Sequence, residues 1–395
     1  MTLTKKYQPL FETLTLPNGT TLKNRFVLSP MITNSSTAEG HVSEEDIEYA
    51  KRRASSAPIQ ITGAAYIDPI GQLFEYGFSI DDDACIEGLK QLAKAMKKDG
   101  AKAIVQLTHA GRFAKIAIQK YGYVFGPSEL HLHTPIKHTV YPLSIDDIQQ
   151  VVQQYALATK RAIDAGFDGV EVSGAQRLLI QTFFSTFSNE RVDAYGSQTI
   201  ENRSRFGIEV LQAVQQVIDE HAPNHFILGY RGTPEETRGN EIGYSVEDFL
   251  YYMDQLLEVA DIQYLAIASW GRNIYKQTVR QGNFKGSYVN AVVTNHMNGR
   301  IPVMATGGVN SPDKALEALE HADMVGASTP FVTEPDFVTK LEAGREDDID
   351  LGFTKEEIAD LAIPDRAFKD IVELMDFGGS LSDNTRKEIS KLRKD

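Results

Sequence analysis

Eight times along the chain a short apolar, β-branched run ends in polar or glycine residues and is followed by a stretch with apolar positions at helical spacing. The runs are NRFVLSPM (24–31), IQITGAAY (59–66), AIVQLTH (103–109) and DGVEVSG (168–174), then HFILGYR (225–231), IQYLAIAS (262–269), IPVMATGG (301–308) and ADMVGAS (322–328). Between them lie patterns such as IEGLKQLAKAMKKDG and IDDIQQVVQQYALATKRAIDAG, expected to stop at left-handed caps on Gly100 and Gly166. This alternation over roughly 330 residues favours an α/β fold, a (β/α)8 TIM barrel. Residues 1–340 are assigned to the barrel and 341–395 to a C-terminal helical extension. A doubly wound open sheet is the competitor, but SPMITNSS after the first run lacks its glycine-rich turn.

Composition narrows the function classes. The chain has 395 residues, 42% hydrophobic and 24% charged, with a net charge of −14. That balance opposes extended contact with phosphate backbones, so nucleic acid is not an expected partner. No apolar run reaches bilayer length, and MTLTKKYQPLFETL lacks a signal-peptide core. The one cysteine, Cys85, suits a reducing cytosol, so a cytoplasmic protein acting on a small molecule is expected. The sequence leaves a homo-oligomer open.

Barrels of this kind place chemistry at the C-terminal ends of their strands. Those ends supply Pro30 to Asn34, Ala64, Gln106, Ser173, Arg231, Ser269, Gly307, Gly308, Ser328 and Thr329. Gly307 and Gly308 allow close backbone approach, and Ser311 with Pro312 can start the next helix, as at a barrel phosphate site. A simple tight turn explains the same glycines equally well. Gln106 offers a donor and an acceptor, which suits the edge of a pyrimidine-like ring. Arg231 is either a fixed cation for an anionic ring or a structural ion-pair partner. After the fourth run, Ser173, Gln176 and Leu178 stand where titratable groups are wanted, and none of them titrates.

Five motifs in order, LKNRFVLSPM, IVQLTHAGR, AGFDGVEVSGAQRLLIQTFFSTFSNERVDAYG, ENRSRFGIEV and MATGGVNSPDKALEAL, resemble the old yellow enzymes, or NADH:flavin oxidoreductases. The resemblance runs from about Pro9 to about Glu342. It implies FMN at the barrel mouth, NADH or NADPH as reductant, and an organic acceptor such as an activated alkene or a quinone. By position, the backbone of Pro30, Met31 and Ile32 together with Ala64 would pack on the isoalloxazine. Gln106 would bind its pyrimidine edge, Arg231 would sit by N1 and O2, and Gly307, Gly308, Ser328 and Thr329 would hold the phosphate.

Departures from the family pattern shift the expected chemistry. The family's His, His or Asn, and Tyr after the fourth strand are Ser173, Gln176 and Leu178 here, so two hydrogen-bond donors remain and the proton donor is gone. Ile32 replaces a polar residue near the flavin, and Ser328-Thr329 replaces Gly-Arg, removing a charge from the phosphate. Ser173, Gln176 and Arg177 are therefore the expected acceptor-binding residues, Arg177 serving a carboxylate-bearing acceptor. The alternative is an FMN-binding barrel with little or no redox turnover. HLHTPIKH (His131, His133, His138) lies with YGYVFGPSEL in an expected lid after strand three; it has no carboxylate or cysteine at ligand spacing, and no metal is expected. His109 reads as structural.

Overall fold

The computed structural model describes residues 2–133, 137–366 and 381–391. Each apolar run forms a strand: β1 (Phe26–Leu28), β2 (Ile59–Tyr66), β3 (Lys102–Thr108), β4 (Gly169–Gly174), β5 (Ile227–Gly232), β6 (Ile262–Ile267), β7 (Val303–Thr306) and β8 (Met324–Ala327). All neighbours pair in parallel and β8 closes on β1, so the strands follow chain order around a closed barrel. The open-sheet alternative is excluded. β1 is shorter than its run because Pro30, which has no N–H for the ladder, follows closely.

Helices α1 (Glu44–Arg52), α2 (Ile86–Met96), α3 (Ile145–Asp164), α4 (Ile200–His221), α5 (Val246–Val259), α6 (Val289–Met297), α7 (Pro312–Leu319) and α8 (Phe337–Glu342) alternate with the strands. α1, α3 and α5 each begin with a Ser/Asp capping box, in which two orphan N–H groups are satisfied reciprocally. α3 buries Ile148, Val151, Val152 and Tyr155 on the barrel, and each of the three aliphatic side chains contributes about 1.5–3 kcal/mol. Gly166 has φ +77 directly after the last turn of α3, as expected. Gly100 is also left-handed, at φ +86, but α2 ends earlier at Lys97. Its apolar stripe stops at Met96, and Lys98 bonds back to the Ala95 carbonyl in a tighter turn.

A hairpin of Leu14–Thr15 and Thr21–Leu22 plugs the N-terminal end of the barrel. Leu16 and Leu22 join Val27, Ile59, Ile61, Ile104 and Ile227 in the barrel interior. After β3 the connection builds a three-stranded sheet of Tyr123–Gly126, Leu130–Leu132 and His138–Pro142, over the region expected to be a lid. Residues 134–136 of that stretch lie outside the described residues. Beyond α8 come single turns at Glu346–Asp348 and Lys355–Glu357 and a helix at Asp383–Ser390. Parts of the expected extension, 367–380 and 392–395, also lie outside the described residues. Phe353, Ile358, Leu361 and Ile363 pack with Val332, Tyr49 and Met31, so this segment backs the wall of the barrel mouth. No described helix is long and apolar enough to cross a membrane.

Candidate active site

A cavity of about 260 Å³ opens at the C-terminal ends of the strands. Of the sequence-predicted residues, Pro30, Met31, Ile32, Ala64, Gln106, Ser173, Gln176, Arg231, Ser269, Gly307, Gly308, Ser328 and Thr329 all line it. Arg177 does not join them; its Nε lies 3.2 Å from the buried Glu236 carboxylate. This carboxylate holds the cation that the sequence reading sends toward an acceptor.

Local geometry explains how the lining is held. The β2–β3 register shifts between Ile61 and Ala64, so β2 bulges and carries Ala64 into the mouth. Gly63, in that bulge, faces the chain leading into Ile32; a Cβ there would stand 2.6 Å from the Met31 carbonyl oxygen. Gly307 and Gly308 have φ +84 and +93. Any side chain on Gly308 would meet the Asn273 backbone at 2.7 Å. These glycines therefore serve a tight turn against the Asn273–Ile274 segment and also present bare backbone to the cavity. Ser311 caps α7 by accepting from the Lys314 N–H at 3.2 Å, with Pro312 first in the helix, as the sequence predicts.

The polar floor is a buried network. Gln106 donates from Nε2 to Glu171 Oε1 at 2.7 Å, and the Tyr264 hydroxyl donates to Glu171 Oε2 at 3.0 Å. With one amide hydrogen so engaged, the Gln106 carbonyl oxygen and second amide hydrogen are left for the cavity. Arg231 is buried beside them, and its Nη1 has no hydrogen-bond partner among the described residues. Burial pushes the Arg231 guanidinium below its ordinary range, while Glu171 and Tyr264 hold it up. Glu171 is pushed up by burial and pulled down by Arg231, Gln106 and Tyr264, with burial prevailing. A desolvated guanidinium with an unmet donor calls for an acceptor in the cavity.

The other wall lacks titratable groups. Gln176 and Arg177 are consecutive left-handed residues, φ 57 and 62. For side chains other than glycine this costs of order 1–3 kcal/mol each and persists only where surroundings impose it. They do so here: the Gln176 N–H donates to Thr233 Oγ1 at 3.0 Å, and the Arg177 N–H to Gln181 Oε1 at 2.6 Å. Trp270 Nε1 donates to the Gln176 carbonyl at 3.3 Å. Leu178 lines the cavity and packs into an apolar cluster with Ala110, Ala114, Ile118, Val124 and Val140, so nothing at this position can move a proton.

The predicted histidines lie away from this lining. His109 is buried, accepts from the Gly111 N–H at 3.0 Å, and is pushed down to about 4 by burial, partly opposed by Asp68. It is a neutral structural acceptor. His138 is buried against the Arg112 carbonyl at 3.1 Å, while His131 and His133 are exposed.

The sequence reading missed Glu171, although DGVEVSG places a carboxylate inside a fully apolar strand, a recognisable signal. It also missed Trp270, which lines the cavity directly after Ser269, and Phe74, whose loop carries no such signal.

The donor set fits FMN on two observations: the unmet Arg231 donor beside the half-engaged Gln106 amide, and the bare backbone at Gly307 and Gly308. Comparison with known proteins agrees. The model of the NADH:flavin oxidoreductase / NADH oxidase family matches residues 9–348. An uncharacterized oxidoreductase of Streptococcus pyogenes (serotype M5, strain Manfredo) is 60% identical over 97% of this chain and 96% of its own. A probable NADH-dependent flavin oxidoreductase of Bacillus subtilis (strain 168) is 32% identical over 87% of this chain and 91% of its own. Morphinone reductase in complex with tetrahydroNAD aligns with a TM-score of 0.71 at 26% identity, over 85% of this chain and 91% of that one. With the family match spanning the barrel and every residue expected to bind the cofactor lining one cavity, the chain belongs to the NADH:flavin oxidoreductase / NADH oxidase family, as an FMN-using, NADH- or NADPH-dependent oxidoreductase of the old yellow enzyme type.

Proposed function

We propose that the protein takes a hydride from NADH or NADPH through FMN and passes it to a small organic acceptor that draws no proton from the protein wall. FMN, when bound, supplies the hydride acceptance and donation that no side chain here can perform. Arg231 and Gln106 fix the polar edge of the ring, and Gly307, Gly308, Ser328 and Thr329 hold the phosphate. The backbone of Pro30, Met31 and Ile32, with Ala64, forms a ring wall. Ser173 and Gln176 orient an acceptor oxygen by hydrogen bonds, with Trp270 at the open edge. Leu178 leaves this wall without an acidic proton donor, which disfavours acceptors such as simple enones that need a protein proton after hydride transfer.

The carrying observation is the buried, unpartnered Arg231 Nη1 next to Gln106 at the cavity floor. The Bacillus relative, a probable NADH-dependent flavin oxidoreductase, and the nicotinamide analogue in the morphinone reductase complex support a nicotinamide reductant. Purified protein incubated with FMN should be yellow, and NADH or NADPH should bleach it anaerobically; colour should then return with a suitable quinone or other organic acceptor. Protein that stays colourless would refute the reading, and bound but unreduced FMN would favour a barrel without turnover.

A further inference from the structure

Beneath Gln106 and Arg231 lies a carboxylate to which the reading above assigns no task. Glu171 sits on β4, paired with Gln106 of β3 and Gly229 of β5, and is fully buried. Gln106 and Tyr264 each donate to one of its oxygens, at 2.7 and 3.0 Å. The charged or titratable groups acting on it are Arg231 from β5 and Tyr264 from β6. Burial, with Glu171 as neighbour, holds the Tyr264 phenol well above its ordinary range, so Tyr264 remains a neutral donor. Arg231 stays cationic. Glu171 is therefore the member of this network able to change charge.

Its state is balanced between opposing effects. Burial favours the neutral acid, whereas Arg231 and two hydrogen bonds favour the carboxylate. A further negative charge beside Arg231 competes with Glu171 for one guanidinium, and like charges sharing a buried site do not both stay ionised. Two-electron reduction of a flavin by hydride adds such a charge at the ring edge that Arg231 and Gln106 face.

We propose that Glu171 is the charge-compensating residue of the site, taking one proton from water when the ring edge held by Gln106 and Arg231 gains negative charge and returning it when that charge leaves. This rests on the FMN reading. The hydride carries both electrons and its hydrogen nucleus from nicotinamide to flavin. The proton on Glu171 comes separately from solvent, forming a carboxyl O–H bond, and no electron passes through the residue. Glu171 is a positioning residue, acting through Arg231 and Gln106.

The test uses the full chain loaded with FMN, as wild type and as Glu171→Gln, with the midpoint potential measured from about pH 6 to 9. One extra proton per two electrons should make the wild-type potential fall by about 30 mV more per pH unit than the variant's. The two curves should converge at the acid end and separate at the alkaline end, the variant lying higher. On the wild type alone, the reduced-minus-oxidised infrared spectrum should show a protonated carboxylic acid C=O stretch appearing on reduction, which decides the matter even if the variant does not fold. Parallel potentials, or no such band in wild type, would overturn this inference and leave FMN binding intact. Failure of the wild type to take up FMN would overturn the flavin reading and this inference with it.

Discussion

The two walls of the cavity are built differently. On the cofactor side, Gln106, Arg231, Glu171 and Tyr264 are buried on strands and joined by hydrogen bonds or charge, and Gly307 and Gly308 fit against Asn273 and Ile274. On the acceptor side, Ser173, Gln176 and Leu178 belong to a strand end and a strained loop, and none is ionisable. A site on strands holds its groups rigidly and tolerates little change, whereas a loop can exchange its side chains as long as its backbone bonds persist. Those bonds run from Gln176 to Thr233 and from Arg177 to Gln181, and they do not depend on which side chains face the acceptor. The contrast separates a buried, strand-held wall proposed for the cofactor from a loop-built wall proposed for the acceptor.

Arg231→Ala should be the most damaging change, because it leaves Glu171 buried without its cation. A loss of about 3–5 kcal/mol is expected in urea unfolding, and any flavin still bound should have a lowered reduction potential. An unchanged potential would remove Arg231 from the cofactor wall. Gly308→Ala combines a left-handed backbone with a contact 2.7 Å from Asn273. A penalty of about 3 kcal/mol should weaken FMN binding ~100-fold by fluorescence titration; native affinity would mean that the Asn273 segment yields easily.

The acceptor wall should respond in the opposite direction. Ser173→His, Gln176→His and Leu178→Tyr together should raise turnover of a cyclic enone ~100-fold, the low end for a positioned proton donor. No gain with flavin bound would show that the lid and pocket walls have diverged too. Away from both walls, His109 gives a pH signature. Its folded value near 4 lies below the ordinary 6.5. The unfolded chain therefore binds the proton more readily, and stability is lost as pH falls from about 6.5 toward 4. The drop should be about 2 kcal/mol between pH 7 and 5, and much smaller in His109→Asn, by urea midpoints at each pH. Trp270→Ala should have the smallest effect, about 1 kcal/mol, with the hydrogen bond to the Gln176 carbonyl lost at an exposed edge. A higher KM for the acceptor with kcat nearly unaltered would place Trp270 at the acceptor's entrance.

Sequence periodicity alone determined the eight strands and their circular order, because strands buried on both faces must be apolar throughout and βαβ crossovers have one hand. It also determined which strand ends face the mouth, and so about half of the cavity lining, along with the capped start of α7 at Ser311. The N-terminal hairpin and its place as the barrel's plug followed only from where Leu16 and Leu22 pack. Tertiary structure alone decided pairings between residues distant in the chain. Arg177 turns to Glu236 instead of the acceptor, His138 turns to the Arg112 carbonyl, and Glu171 lies under Gln106, Tyr264 and Arg231. Such partners are fixed by barrel register and burial, where a buried charge goes to whatever counter-charge the closed fold brings near, and no local pattern encodes that choice.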